Sequence, residues 1–173
     1  MSRFALNSDR IKLGHHIWFS KGKTIIERGP GIAMPYLNLD YLTGVSNSIN
    51  SYDGIMASKV DTLMLMDGAS SGLVFSGFVG YAGSTIAIVH HDKTIDPYVL
   101  FAVLRENQNV VKERATGSAI PHADKRLIEE IEYPLLSSTD NVMIQALLEK
   151  EWSLRNSSKA LNRAKNILLN KYF

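Results

Sequence analysis

The sequence predicts an α+β protein: a compact, glycine-rich, mainly antiparallel β body with short helices, followed by a long C-terminal helix that pairs in a coiled coil. Three observations carry this. Between Tyr52 and Val89, short β-branched and aromatic runs are punctuated by glycines at 54, 68, 72, 77, 80 and 83, the spacing of short strands joined by tight turns. Two helix starts, Asp96-Pro97 and Pro121 to Asp124, follow that region. From Asp140 to Phe173 there is then no Pro or Gly between Asn141 and Asn170, and leucine recurs every seven residues at Leu147, Leu154, Leu161 and Leu168. The expected division is a body at 1–137 and a helical region at 138–173.

Taken in order, Leu13, Ile17, Trp18 and Phe19 read as a short strand or an edge packed on the core. Lys21-Gly-Lys-Thr24 lacks the upstream glycine spacing of a phosphate loop, which argues against a nucleotide site. Gly29-Pro-Gly31 is a turn. Ala33 to Leu37 is extended, and Pro35, having no N–H to donate, predicts an edge strand. Thr43 to Asn50, rich in Ser, Asn and Gly, reads as a loop. Candidate strands follow at Ile55–Ala57, Thr62–Met66, Leu73–Phe75, Phe78–Val79 and Thr85–Val89.

Asp96 is a predicted N-cap, with Pro97 at the first turn where its missing N–H is harmless. Tyr98, Phe101, Ala102, Arg105 and Val110 carry that helix to about Arg114, and Gly117 breaks it. A shorter helix runs from Asp124 through Glu130, and Ile131-Glu-Tyr133 is a last strand closed by Pro134. Thr139, Asp140 and Asn141 are the candidate caps of the C-terminal helix.

A seven-residue repeat calls for a partner helix. The ladder is one-sided, because the companion positions hold Glu151, Ser158 and Lys165, while Ile144, Leu148, Trp152, Ala160, Ala164, Ile167 and Leu169 widen the apolar surface. Two readings stand: an amphipathic helix packing on its own body, or a rod that pairs with another helix. The rod's length favours pairing.

The 173 residues, 45% apolar and 21% charged, suit one domain plus an extension. No apolar run approaches the ~20 residues of a membrane span, and the opening MSRFALNSDR carries no signal core, so the expected location is the cytoplasm, without membrane contact. With no cysteine, disulfides, thiolate metal sites and cysteine nucleophiles are excluded. The net charge of +2 is unevenly spread, at +4 over residues 1–28, −4 over 29–100, −1 over 101–133 and +3 over 134–173. The two basic ends are suited to a polyanion.

The histidines give little chemistry. His15-His16 and His90-His91 are adjacent, so on a strand each pair points to opposite faces and makes no two-ligand metal site. Ser118 and His122 lie four apart, with no orienting carboxylate nearby in sequence. No metal and no catalytic residue is expected, and the reading is a binding module with a helical docking arm.

Two stretches carry a further pattern. One is Met66-Asp-Gly-Ala-Ser-Ser-Gly72, followed by Gly77, Gly80 and Gly83-Ser-Thr85. The other is Thr116-Gly-Ser-Ala-Ile-Pro-His122, followed by Ile131-Glu-Tyr-Pro134 and the long helix. In this order the chain resembles the specificity subunit of type I restriction–modification systems, as one target recognition domain plus one helical spacer region. The resemblance covers essentially the whole chain. It implies a non-catalytic subunit without a cofactor of its own. Each recognition domain of the family reads half of a bipartite double-stranded DNA site. The helices space two such domains and dock methyltransferase subunits that carry S-adenosylmethionine; a restriction motor–nuclease subunit, using ATP and Mg, completes the system. Members usually carry two of each element, and this sequence has one. Asp140-Asn141 stands near the place of the family's Glu-Gln pair.

The expectation is therefore a half-subunit that dimerises with itself, or pairs with another half, through Leu147, Leu154, Leu161 and Leu168. Lys21, Lys23, Arg28 and Lys59 are the candidate phosphate contacts; Asn47, Asn50, Ser70 and Ser71 are the candidate base contacts. Gly68, Gly72, Gly117, Ser118, Pro121 and His122 are architectural. The alternative is a truncated module that sequesters methyltransferase without reading DNA.

Overall fold

The computed structural model describes residues 10–115 and 121–172, the side chains of 163 and 166–172 excepted. The chain divides into two compact units, Met1–Leu136 and Ser137–Phe173.

The first unit is built on two four-stranded sheets and a two-stranded ribbon. One sheet, ordered β2-β9-β6-β7 (Ile17–Lys21, Ile86–His91, Thr62–Leu65, Val74–Phe75), is antiparallel throughout. The other runs β4-β3-β8-β5 (Asn50–Ser51, Met34–Leu37, Gly80–Ala82, Met56–Ala57), and its β3–β8 pair is parallel. β1 (Arg10–Lys12) and β10 (Glu132–Pro134) form the ribbon. Both sheets feed one core: Leu63 and Leu65 from β6, Ile86 and Ile88 from β9, Leu37 from β3, Ala57 from β5 and Ala82 from β8. All four residues of β6 are buried, which is why that strand reads as a continuous apolar run rather than an alternating one.

Local signals place the helices. Asp96 accepts from the N–H groups of Tyr98 and Val99 and starts α2 (Pro97–Glu113), which buries Val99, Leu100, Phe101, Leu104 and Val111. Asp124 accepts from Arg126 N and starts α3 (Lys125–Glu129).

Three expectations require correction. Pro35 does not lie on an edge: β3 sits between β4 and β8. This is tolerated because β3 divides its pairing, Met34 and Pro35 facing β4 while Tyr36 and Leu37 face β8. The strand expected at Phe78–Val79 lies at Gly80–Ala82, and Phe78 is buried in the core instead. A short helix, α1 (Leu39–Thr43), precedes the Ser/Asn loop, capped by Asn38 through Tyr41 N and ended at Gly44.

The second unit is α4, Ser138–Tyr172, 35 residues and about 50 Å at 1.5 Å per residue. Its cap is Ser137, one turn earlier than expected. The Ser137 hydroxyl donates to Asp140 Oδ2 at 2.7 Å, its Oγ accepts from Asp140 N at 3.2 Å, and Ser137 N donates back to Asp140 Oδ2 at 3.3 Å. This is a reciprocal cap in the manner of a capping box, with the carboxylate favoured at the positive helix end. Leu147, Leu154 and Leu161 are 64%, 59% and 71% exposed; the side chain of Leu168 lies outside the described residues.

Candidate functional site

The two sequence stretches meet at one carboxylate. After β6 the chain turns through Met66-Asp67-Gly68 into the hairpin that leads to β7. Gly68 (φ 104) and Gly72 (φ 94) take the left-handed conformations that this hairpin requires. The segment Pro121 to Ala123 runs antiparallel beside it, with Gly68 N donating to Pro121 O at 2.9 Å and Ala123 N to Met66 O at 2.8 Å. Between these two backbone bonds, Asp67 Oδ1 faces His122 Nδ1 at 2.7 Å and Asp67 Oδ2 faces Lys21 Nζ at 2.8 Å.

Asp67 is only 19% exposed, against 61% for Lys21 and 58% for His122. Burial pushes the Asp67 carboxyl up, but hydrogen bonds and charge from Lys21 and His122 outweigh it and hold the group below the usual carboxylate range. Asp67 is therefore ionised at neutral pH and only accepts, so His122 Nδ1 carries the proton. A shallow depression opens here, lined by Phe19, Lys21, Asp67, His122 and Lys125, with the Lys125 ammonium 5.1 Å over the Phe19 ring, a cation–π distance.

His122 thus does have an orienting carboxylate, contrary to expectation. The sequence hid it because the two residues are 55 positions apart. Asp67 lies inside the first motif and His122 inside the second, and that shared membership is the one signal that could have found the pair. Gly117 and Ser118 lie outside the described residues.

A second polar region lies along β4. Lys23 N donates to Ala82 O at 3.1 Å, and its ammonium faces Asp53 at 3.8 Å with both side chains more than half exposed, a weak, solvent-screened pair. Exposed Arg28 follows a segment tied to β4 by Ile26 N to Ser51 Oγ (3.0 Å) and Tyr52 N to Ile26 O (2.9 Å). Asn50 is exposed on β4 itself and Asn47 in the loop leading to it. Lys59 is exposed in the turn between β5 and β6, where its carbonyl accepts from Gly77 N at 2.9 Å. Ser70 is half-buried, but Ser71 is 1% exposed. The expectation that Ser71 faces outward fails because the hairpin turns it inward, with Gly72 packed against α2.

Three of the remaining histidines each have their own partner. His16 Nδ1 meets Asp92 Oδ2 at 2.9 Å, His91 Nδ1 donates to the Asp92 carbonyl at 2.8 Å, and His90 stacks on Trp18 at 5.6 Å. Among the described residues no group of three or more His, Asp or Glu could hold a metal ion, and no helix is long and apolar enough to cross a membrane.

No protein-family model matches the chain. A type I restriction enzyme specificity subunit from Methanocaldococcus jannaschii is 28% identical over 174 residues, covering 94% of this chain and 41% of its own. Among solved structures, the type I restriction–modification S subunit from M. genitalium superposes with a TM-score of 0.65 at 18% identity, over 93% of this chain and 45% of that one. A chain from a structure concerned with assembly and conformational transition of the type I R-M system gives 0.62 at 14% identity, over 98% and 44%. The chain thus spans less than half the length of each of these proteins. The resemblance drawn from the two motifs is borne out, as is the mixed α+β fold with a long C-terminal helix.

Proposed function

We propose that this chain, related to the specificity subunits of type I restriction–modification systems, is a non-catalytic DNA reader. It takes one half of a bipartite site and docks methyltransferase subunits through its helical region. The observation that carries this is the match along 94% of the chain to a named specificity subunit. In this reading residues 1–137 are the recognition domain and 138–173 the spacer. The exposed ladder Leu147, Leu154 and Leu161 pairs with a second half-subunit, the same chain or another, to rebuild a two-domain reader. S-adenosylmethionine, ATP and Mg belong to the partner subunits, and the assembly works in the cytoplasm.

Phosphate contacts come from Lys23, Arg28 and Lys59, while the Lys21 ammonium is engaged by Asp67; Asn47, Asn50 and Ser70 supply hydrogen bonds to base edges. The exposure of Lys23 and the looseness of its pair with Asp53 leave its charge available to DNA. Lys23→Ala is expected to lower the slope of log affinity against log salt by about 0.9; an unchanged slope removes Lys23 from the interface.

The deciding experiment maps methylated adenines in the host genome with and without this gene. Loss of a gapped inverted repeat supports a symmetric pair, and loss of a gapped motif with unlike halves supports pairing with another half-subunit. Unchanged methylation removes the reading. A second reading, a module that sequesters methyltransferase without reading DNA, is favoured by the acidic stretch 29–100 and by Lys21, whose ammonium is answered by Asp67. Sequence-independent DNA binding by the assembled complex would select it.

A further inference from the structure

Lys21 and Lys23 stand two residues apart, yet their charges are held very differently. Lys23 meets Asp53 loosely, at 3.8 Å, with the carboxylate 68% exposed. Lys21 meets Asp67 at 2.8 Å, with the carboxylate 19% exposed. Asp67 cannot swing away easily: Oδ1 is held by His122 at 2.7 Å, and the neighbouring backbone is stitched to residues 121–123 on both sides. With its carboxylate largely shielded, this pair is screened less by solvent than the Lys23–Asp53 pair, although the Lys21 side chain is itself 61% exposed.

From this we propose that Asp67 is a charge-holding, positioning residue. It commits the Lys21 ammonium to an internal pair and so suppresses a phosphodiester-binding site that Lys21, His122 and Lys125 would otherwise form around the depression. The inference rests on the DNA-reading function. Non-specific DNA binding is driven by counterion release from phosphates, so an internal carboxylate that withholds one lysine weakens attachment to arbitrary sequence while leaving contacts to base edges untouched. The same carboxylate positions the 121–123 segment. Four charged or titratable groups face the depression, namely Lys21, His122, Lys125 and Asp67; Asp67 alone among them opposes an incoming phosphate.

The test is a salt titration of the full chain on a random-sequence DNA duplex, read by fluorescence anisotropy. Asp67→Asn, which keeps an oxygen for His122, is expected to bind several-fold more tightly at low salt. It should also steepen the salt slope by about 0.9 for the phosphate gained. Lys21→Ala changes the slope by much less than that in the native background, but removes the whole gain in the Asp67→Asn background. A purely structural Asp67 would give weaker binding with no steeper slope, which overturns the proposal. If Asp67→Asn does not fold, Lys21→Ala decides alone: a full loss of about 0.9 means that Lys21 already contacts phosphate, and the proposal fails. Absence of binding by the native chain and by Asp67→Asn alike overturns this inference, while the DNA-reading function is decided separately by the methylation map. Native binding with an unmoved slope in Asp67→Asn overturns this inference only.

Discussion

Substituting Leu154 by lysine tests the helix-pairing half of the proposed function. Leu154 is 59% exposed on α4, between Leu147 at 64% and Leu161 at 71%. Fully burying a leucine is worth about 1.5–3 kcal/mol, so pairing can still gain roughly 1–2 kcal/mol from Leu154 in each copy. Removing it from both copies costs about 3 kcal/mol, and the ammonium adds the cost of burying an unpaired charge. At about 1.4 kcal/mol per tenfold, Leu154→Lys should weaken self-association at least about a hundredfold. Sedimentation equilibrium over a wide concentration range reads this directly. Asn156→Lys serves as control; it is exposed and lies about 200° around the helix from Leu154. A native chain that stays monomeric at high concentration, with methyltransferase present, would refute self-pairing and leave a different half-subunit as the partner. A Leu154→Lys variant that keeps the native dissociation constant would refute the reasoning.

Gly72→Ala should destabilise the body by roughly 2–3 kcal/mol. The new Cβ would lie 2.9 Å from Lys112 N and 3.0 Å from Val111 Cγ1, at φ 94. With an m value of about 2 kcal/mol/M, the urea midpoint should fall by about 1 M; a fall below about 0.2 M would show that the hairpin yields freely. Asp67 sets a pH dependence. Its carboxyl is held below the usual range in the folded chain, so its contribution is fully present above the unfolded value of about 3.9. It is lost as pH falls through the lower folded value. The stability gap between native chain and Asp67→Asn should therefore be largest near neutral pH and shrink below about pH 4; a gap that widens towards acid contradicts the assignment.

Features encoded within one turn of the chain were legible from the residues alone. Asp96 and Asp124 cap α2 and α3 where a short oxygen-bearing side chain precedes an apolar repeat. Gly68 and Gly72 stand at one of the predicted tight turns between short strands. The errors have equally local causes. α1 spans five residues, too few for a helical period to show. Thr139, Asp140 and Asn141 stand together as candidate caps of α4, and the hydrogen bonds between Ser137 and Asp140 give the role to Ser137 instead. The missing N–H of Pro35 confines it to an edge only where a strand pairs with the same neighbours along its whole length, and β3 does not.

By itself, the sequence determined the α+β class, the order of most elements, the long terminal helix and the family resemblance. All of these follow from periodicity, punctuation and motif order, which are properties of neighbouring residues. The tertiary structure decided what neighbours cannot express. It turned Ser71 into the core, gave β3 two partners in opposite senses, and brought Lys21, Asp67 and His122 together from three distant segments. The net charge sums these groups as if each stood alone in solvent. Once folded, a largely shielded Asp67 answers Lys21 and His122 at hydrogen-bond distance, so the groups no longer stand alone.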